Sequence, residues 1–94
     1  MKALLLLHER HQLTADSFVE LRVWSVPTPV RGSGHTFKYV LALIASGVCV
    51  LRYDNEAGKG DHKLVGAVET AYSFTTPSKL LADFWRDVDE WRSA

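Results

Sequence analysis

Hydrophobic and polar residues alternate along much of the chain, a pattern typical of strands with one buried and one solvated face. In residues 18–24, valine and leucine fall on one face, whereas Glu20 and Arg22 fall on the other. The leucine-rich segment Ala3–His11 is predicted as a preceding strand, because the polar residues 14–17 suit a hairpin turn between the two segments. These two segments form the first predicted hairpin.

A second predicted hairpin follows in the middle of the chain. The run Thr36–Ala45 is rich in β-branched and aromatic residues, which favours a central strand. A serine and a glycine supply a turn after it, so Val48–Asp54 is predicted to return as its antiparallel partner. Prolines and glycines predict a loop over residues 25–35. A weaker strand is expected within Leu64–Phe74.

The C-terminal segment Ser78–Arg92 has the helical period, with charged residues such as Asp83 outside an apolar stripe. The stripe consists of Leu80, Leu81, Phe84, Trp85, Val88 and Trp91. Two threonines and a proline at 75–77 are predicted to open this helix, because threonine caps free amides and proline is tolerated at the first helical position. The sequence therefore predicts one α+β domain over residues 1–94. It has a four- to five-stranded, mainly antiparallel sheet with a C-terminal amphipathic helix packed on one face.

Composition narrows the class of protein. The 94 residues have no net charge, so no whole-molecule basic field attracts a nucleic acid, and any RNA contact must come from a local patch. The single cysteine, Cys49, excludes a disulfide within the chain and a cysteine-based zinc site. The apolar run at 3–7 is shorter than a secretory or membrane segment requires, so we expect a cytoplasmic protein with no membrane partner.

Ionisable side chains are concentrated in residues 51–63, which read LRYDNEAGKGDHK. An imidazole titrates near neutral pH and can give or take a proton, which makes the histidine of this run the leading candidate for acid–base chemistry. The candidate catalytic residues are His62, Lys59, Arg52, Asp54, Asp61 and Tyr53. The cations are expected to neutralise a phosphate, Asp54 or Asp61 to orient the imidazole, and a tyrosine to contact a base or assist proton transfer. Together these are the groups that metal-independent cleavage of RNA needs: a base near a 2′-hydroxyl, cations around the phosphate and an acid at the leaving oxygen.

Two other interpretations of the same run are open at this point. Asp54, Asp61 and His62 are potential ligands of a divalent metal, but their spacing is not diagnostic of a metal site, and no cofactor is predicted. The GKG run at 58–60 is neither a Walker motif nor a dinucleotide fingerprint. It suits a flexible turn, or a small nest of amides that binds an anion.

Four segments spread over nearly the whole chain carry a resemblance to a known family. They are LLLHER at 5–10, FKY at 37–39, RYDNEAGKGDH at 52–62 and LLADFW at 80–85. With these segments the chain resembles the TumE-like toxins of bacterial type II toxin–antitoxin pairs, and the third segment is the specific part. The resemblance implies an RNA-cleaving or translation-blocking activity. It also implies a cognate antitoxin, of the helix-turn-helix type or similar.

The family run typically continues as Asp-His-Arg-His, whereas this chain has Lys63 and Leu64 in the last two places. Lys63 keeps the charge, but Leu64 removes an imidazole. If the reaction needs two histidines as acid and base, the resemblance implies that activity is weakened or that His35 is recruited instead.

The leading hypothesis from the sequence is a toxin that acts as a metal-independent endoribonuclease. The expected RNA-binding residues are Lys63, Lys38, Tyr39 and His35. The alternative is a non-catalytic module that binds a protein or a nucleic acid through residues 52–63. The antitoxin is expected either to cover this segment or to dock on a sheet edge beside the 25–35 loop, and homodimer formation is left open.

Overall fold

Six strands pair antiparallel in the order in which they occur in the chain, and one helix follows them. The computed structural model describes residues 2–93. The elements are β1 (Leu4–Thr14), β2 (Ser17–Ser25), β3 (Phe37–Ala45), β4 (Val48–Asp54), β5 (His62–Val65), β6 (Val68–Ala71) and α1 (Pro77–Ser93). The predicted α+β fold is confirmed, with six strands rather than the four to five expected.

The additional strand arises in the segment where one weak strand was predicted. This segment forms a hairpin instead, in which β5 and β6 pair from His62↔Ala71 to Val65↔Val68. Gly66 sits in the turn with a φ of 60°, a conformation that glycine adopts without steric cost. Each strand is only four residues long, so neither shows enough alternation to be recognised separately.

One face of the sheet forms the core together with α1. Its fully or nearly fully buried residues come from three strands and the helix: Val19, Leu21, Val23, Tyr39, Leu41, Leu43, Leu51, Tyr53, Leu80, Phe84 and Val88. The helix begins as predicted, because the Thr76 hydroxyl accepts the Lys79 amide hydrogen at 3.1 Å. Trp91, at the end of the predicted stripe, is 38% exposed.

Asp83 departs from the expected pattern, since it is buried in α1 rather than solvated. Its carboxylate accepts hydrogen bonds from Lys79 Nζ at 2.8 Å and from the Tyr72 hydroxyl at 2.6 Å. These bonds, with that of Lys79 as the larger cause, lower the pKa of Asp83 below its ordinary value of 3.8. A buried carboxylate is therefore stabilised where the helical pattern alone predicts a surface residue.

The other face of the sheet is not covered by any element within residues 2–93. A shallow concavity of about 400 Å³ lies on it. It is lined by Phe18, Glu20, Arg22, Trp24, Val40, Ala42, Ile44 and Arg52, and we call this surface the open face. No helix in the described part of the chain combines the length and apolar character needed to cross a membrane.

Candidate functional site

Arg52, Asp54 and His62 form one chain of contacts at the end of β4. Antiparallel pairing places Asp54 directly opposite His62, and strand alternation puts Arg52 on the same face as Asp54. Arg52 Nε donates to Asp54 Oδ2 at 2.6 Å, and His62 Nε2 lies 2.7 Å from the other carboxylate oxygen, Oδ1. Asp54 is buried, whereas the Arg52 side chain is 46% exposed. The chain of contacts therefore runs from the interior to the surface.

The ring of His62 is held by protein atoms on both sides. Nδ1 donates to the Gly60 carbonyl at 3.0 Å, while Nε2 faces Asp54. The Nε2 contact is a close charge contact rather than a hydrogen bond, since Asp54 Oδ1 has no hydrogen-bond partner among the described residues. His62 is 9% exposed, so neither nitrogen points freely toward solvent.

A second cluster is centred on Asp61. Its carboxylate accepts hydrogen bonds of 2.7 Å from the Ser33 and Tyr39 hydroxyls, and His35 Nε2 lies at 2.7 Å as a third partner. His35 Nδ1 accepts the Phe37 amide hydrogen at 3.1 Å, which makes Nε2 the donor to Asp61. Asp61 therefore joins the loop after β2 to the loop after β4.

This cluster shifts the pKa of two of its members. Burial by itself raises the pKa of Asp61, but the hydrogen bonds from Ser33, Tyr39 and His35 outweigh it, and the pKa lies below 3.8. Burial, followed by the bond to Asp61, raises the pKa of Tyr39 far above its ordinary value of 10.0. Tyr39 therefore keeps its proton at neutral pH, and its fully buried ring is not available to stack on a base.

Asn55 is a residue of this region that the sequence analysis missed. Its side chain is completely buried. Nδ2 donates to the Phe37 carbonyl at 2.7 Å and to Ser33 Oγ at 3.2 Å, and Oδ1 accepts the Tyr39 amide hydrogen at 3.0 Å. An asparagine directly after a predicted strand was an available signal, because asparagine often bonds to backbone groups at such positions.

The GKG run at 58–60 is explained by packing between two loops. Gly58 donates its amide hydrogen to the Arg31 carbonyl at 2.7 Å, and Lys59 donates to the Glu56 carbonyl at 3.1 Å. Two of the three amides considered for an anion nest are therefore already bonded within the protein. The ammonium group of Lys59 lies 3.9 Å from Glu56 on the exposed side of the loop.

Tyr53 and Lys63 lie on the helix-covered face, away from Arg52. The Tyr53 ring is fully buried, and its hydroxyl donates to Asp87. Burial, followed by this bond, raises the pKa of Tyr53 well above 10.0. Lys63 Nζ lies 3.3 Å from Asp87 and 5.6 Å from the centre of the Tyr53 ring. Lys38, in contrast, is on the open face, with its ammonium group 5.6 Å from the centre of the Trp24 ring.

The two aspartates considered as metal ligands belong to separate clusters. Asp54 contacts His62 and Arg52, whereas Asp61 contacts His35 and Tyr39. Among residues 2–93, no group of three or more histidine, cysteine, aspartate or glutamate side chains is placed to hold a metal ion. The structure therefore does not assemble the three-residue ligand set that the sequence left open.

A family model described as Toxin TumE matches residues 2–92. The chain belongs to the TumE toxin family. The match covers nearly the whole chain, so the resemblance inferred from the four sequence segments is confirmed. No curated protein and no solved structure matches this chain. Membership gives this TumE family protein a toxin role, and a toxin family suggests an antitoxin partner.

Proposed function

We propose that this TumE family toxin cleaves cellular RNA without a metal, at the exposed end of the Arg52–Asp54–His62 contacts. The observation that carries the proposal is one buried carboxylate with an arginine at 2.6 Å and a histidine at 2.7 Å. Arg52 uses Nε for Asp54, and no other residue among 2–93 hydrogen-bonds to its guanidinium. The N–H groups at its Nη atoms are therefore available to a phosphate.

In the proposed reaction, a ribose 2′-hydroxyl loses its proton and its oxygen bonds to the adjacent phosphorus. The bond from phosphorus to the 5′-oxygen breaks, and that leaving oxygen gains a proton. Arg52 stabilises the negative charge on the phosphate oxygens, His62 exchanges a proton with the substrate, and Asp54 orients the imidazole. His62 must first turn away from the Gly60 carbonyl, because both of its nitrogens face protein atoms in the free toxin.

The other sequence candidates take different places in this proposal. Lys38 contacts RNA from the open face, and Lys59 adds an exposed positive charge from the 55–61 loop. Asp61, Tyr39 and His35 act indirectly, because their hydrogen bonds hold that loop in position. We also propose a cognate antitoxin, of the helix-turn-helix type, since a toxin that cleaves cellular RNA requires neutralisation in its own cell.

The test is incubation of purified toxin with total RNA in the presence and absence of a chelator. Three variants are compared with the wild type: Arg52→Gln, His62→Gln and, as a control on the helix-covered face, Lys63→Gln. Circular dichroism and thermal melting verify that each variant folds. We expect chelator-resistant cleavage by the wild type and Lys63→Gln, and a loss of about 100-fold or more in the other two variants.

A second candidate function is a non-catalytic binding module. The enclosure of both His62 nitrogens favours it, because a general base must reach the proton that it removes. On this alternative, His62→Gln leaves the toxic activity unchanged, whereas Arg52→Gln weakens RNA binding and its salt dependence. Absence of RNA cleavage by the folded wild type contradicts the nuclease proposal, and cleavage that a chelator abolishes contradicts its metal-independent form.

A further inference from the structure

The open face is a large surface of which the proposed cleavage chemistry uses only one corner. Its centre is apolar, and four cations surround that centre. The apolar residues are Phe18, Trp24, Val40, Ala42 and Ile44. The cations are Arg10, Arg22, Lys38 and Arg52. Because Arg52 lines this concavity and also belongs to the Arg52–Asp54–His62 contacts, an occupant of the concavity also covers the proposed reaction centre.

The open face is positively charged although the whole molecule is neutral. Glu20 is the one acidic residue that lines its concavity within residues 2–93, and it lies 2.5 Å from Arg22 and 4.0 Å from Arg10. Asp54 is buried at the edge of this face and is neutralised by Arg52. The other nine of the eleven acidic residues in the sequence do not line this concavity. A partner of the open face should therefore be negatively charged.

The apolar centre of the open face suits protein side chains better than stacked RNA bases. Single-stranded RNA is usually bound by aromatic rings on which bases stack. Both aromatic rings here are covered by cations of the same chain: Arg10 lies 3.8 Å from the centre of the Phe18 ring, and Lys38 lies 5.6 Å from that of Trp24. The rest of the floor is aliphatic, which suits leucine or valine side chains of a partner.

We infer that the antitoxin lays an acidic amphipathic segment across the open face. Its apolar side chains fill the concavity over Val40, Ala42 and Ile44, while its carboxylates pair with the surrounding cations. This inference rests on the proposed existence of an antitoxin. It adds the surface and the chemistry of the contact, and it explains neutralisation because the same segment covers Arg52.

The experiment measures binding of the wild-type toxin to the polypeptide encoded by the reading frame next to its gene, by calorimetry. Two variants alter the open face: Arg22→Glu reverses a surrounding charge, and Ile44→Glu places a carboxylate in the apolar floor. Each has a matched control: Arg86→Glu on the exposed side of α1, and Val68→Glu on the exposed strand β6. Thermal melting establishes that all four variants fold.

We expect both open-face variants to bind the polypeptide about 100-fold or more weakly than the wild type. The new carboxylate either faces carboxylates of the partner or is desolvated without a pairing cation. Both controls should bind like the wild type. Unchanged binding by folded Arg22→Glu and Ile44→Glu overturns the inference, as does a wild-type toxin that does not bind this polypeptide. Parallel titration with a single-stranded oligoribonucleotide gives the remaining outcome. If the two variants lose RNA affinity but bind the polypeptide like the wild type, the open face serves RNA binding alone and the inference is overturned.

The cleavage assay on total RNA separates this inference from the proposed function. A toxin that binds the polypeptide through the open face but does not cleave RNA refutes only the nuclease proposal. If the toxin cleaves RNA and all four variants bind the polypeptide like the wild type, only the docking surface is refuted.

Discussion

Gly32 and Gly60 meet backbone to backbone: a Cβ atom added to Gly32 would lie 2.8 Å from the amide nitrogen of Gly60. The reverse substitution is equally restricted, because a Cβ on Gly60 would lie 2.9 Å from the Gly32 carbonyl oxygen. Both residues also have positive φ, 96° and 75°. The loop after β2 and the loop after β4 are therefore interlocked, and this contact holds Gly60 where its carbonyl accepts the His62 ring hydrogen.

The first prediction concerns this contact. Gly32→Ala should lower the free energy of unfolding by about 2 kcal/mol, because the added methyl group meets the Gly60 backbone and alanine disfavours positive φ. Gly34→Ala is the matched control, since an added Cβ at Gly34 has no neighbour within 4 Å among the described residues. Urea denaturation measures the free energy of unfolding of the two variants. Equal values would show that the close backbone contact between the two loops does not contribute to stability.

The second prediction is an acid-sensitive contribution from Asp61. Its pKa is lower in the folded protein than in the unfolded chain, so its ionised form stabilises the fold above the unfolded pKa, and this stability is lost as the pH falls through the folded pKa. Asp61→Asn should therefore be less stable than the wild type at neutral pH, by about 1–3 kcal/mol. The difference in stability between Asp61→Asn and the wild type should narrow below about pH 4. Urea titrations at several pH values test this, and a gap that does not depend on pH contradicts it.

The third prediction concerns the buried carboxylate of Asp83. Asp83→Asn weakens a bond within α1, to Lys79, and a bond to Tyr72 that connects α1 to the segment after β6, and should cost about 1–3 kcal/mol of stability. Asp89→Asn, at an exposed position of the same helix, should change stability by less than about 0.5 kcal/mol. Thermal melting of both variants provides the measurement. A similar melting temperature for both would mean that the buried network contributes little.

The fourth prediction separates the two faces of the sheet in RNA binding. Lys38→Gln should weaken binding of a single-stranded RNA and reduce the salt dependence by about one ion, since Lys38 lies on the open face. Lys63→Gln should leave RNA affinity unchanged, because Lys63 Nζ is directed to Asp87 on the helix-covered face. Fluorescence anisotropy at several salt concentrations measures both effects. Weaker RNA binding by Lys63→Gln, with unchanged binding by Lys38→Gln, would place RNA on the helix-covered face.

Sequence reasoning anticipated part of the spatial arrangement of the candidate residues and could not anticipate the rest. It selected Arg52, Asp54 and His62 within one run, and the structure brings these three side chains into contact. It did not predict which aspartate is next to His62, since that depends on the β4–β5 register, in which Asp54 pairs with His62. Asp61 follows Gly60 in the loop and meets His35 instead.

The expected docking site beside the 25–35 loop also depended on topology. That loop joins β2 and β3, which are both interior strands, so it lies at the ends of strands rather than along an edge. The edges of the sheet are β1 and β6. Strand order is set by long-range pairing, which a local pattern of residues does not reveal.

The sequence by itself determined the α+β class, the limits of β4 and the placement of Arg52 and Tyr53 on opposite faces, because strand alternation is a local property of the backbone. Only the tertiary structure decided which face α1 covers, and with it that Tyr53 and Lys63 are turned toward the helix while Arg52 stays exposed. It also decided that Asp61 and Asn55 bind the loop after β2. Such contacts join residues far apart in the chain, and they form only when the whole sheet and its helix pack together.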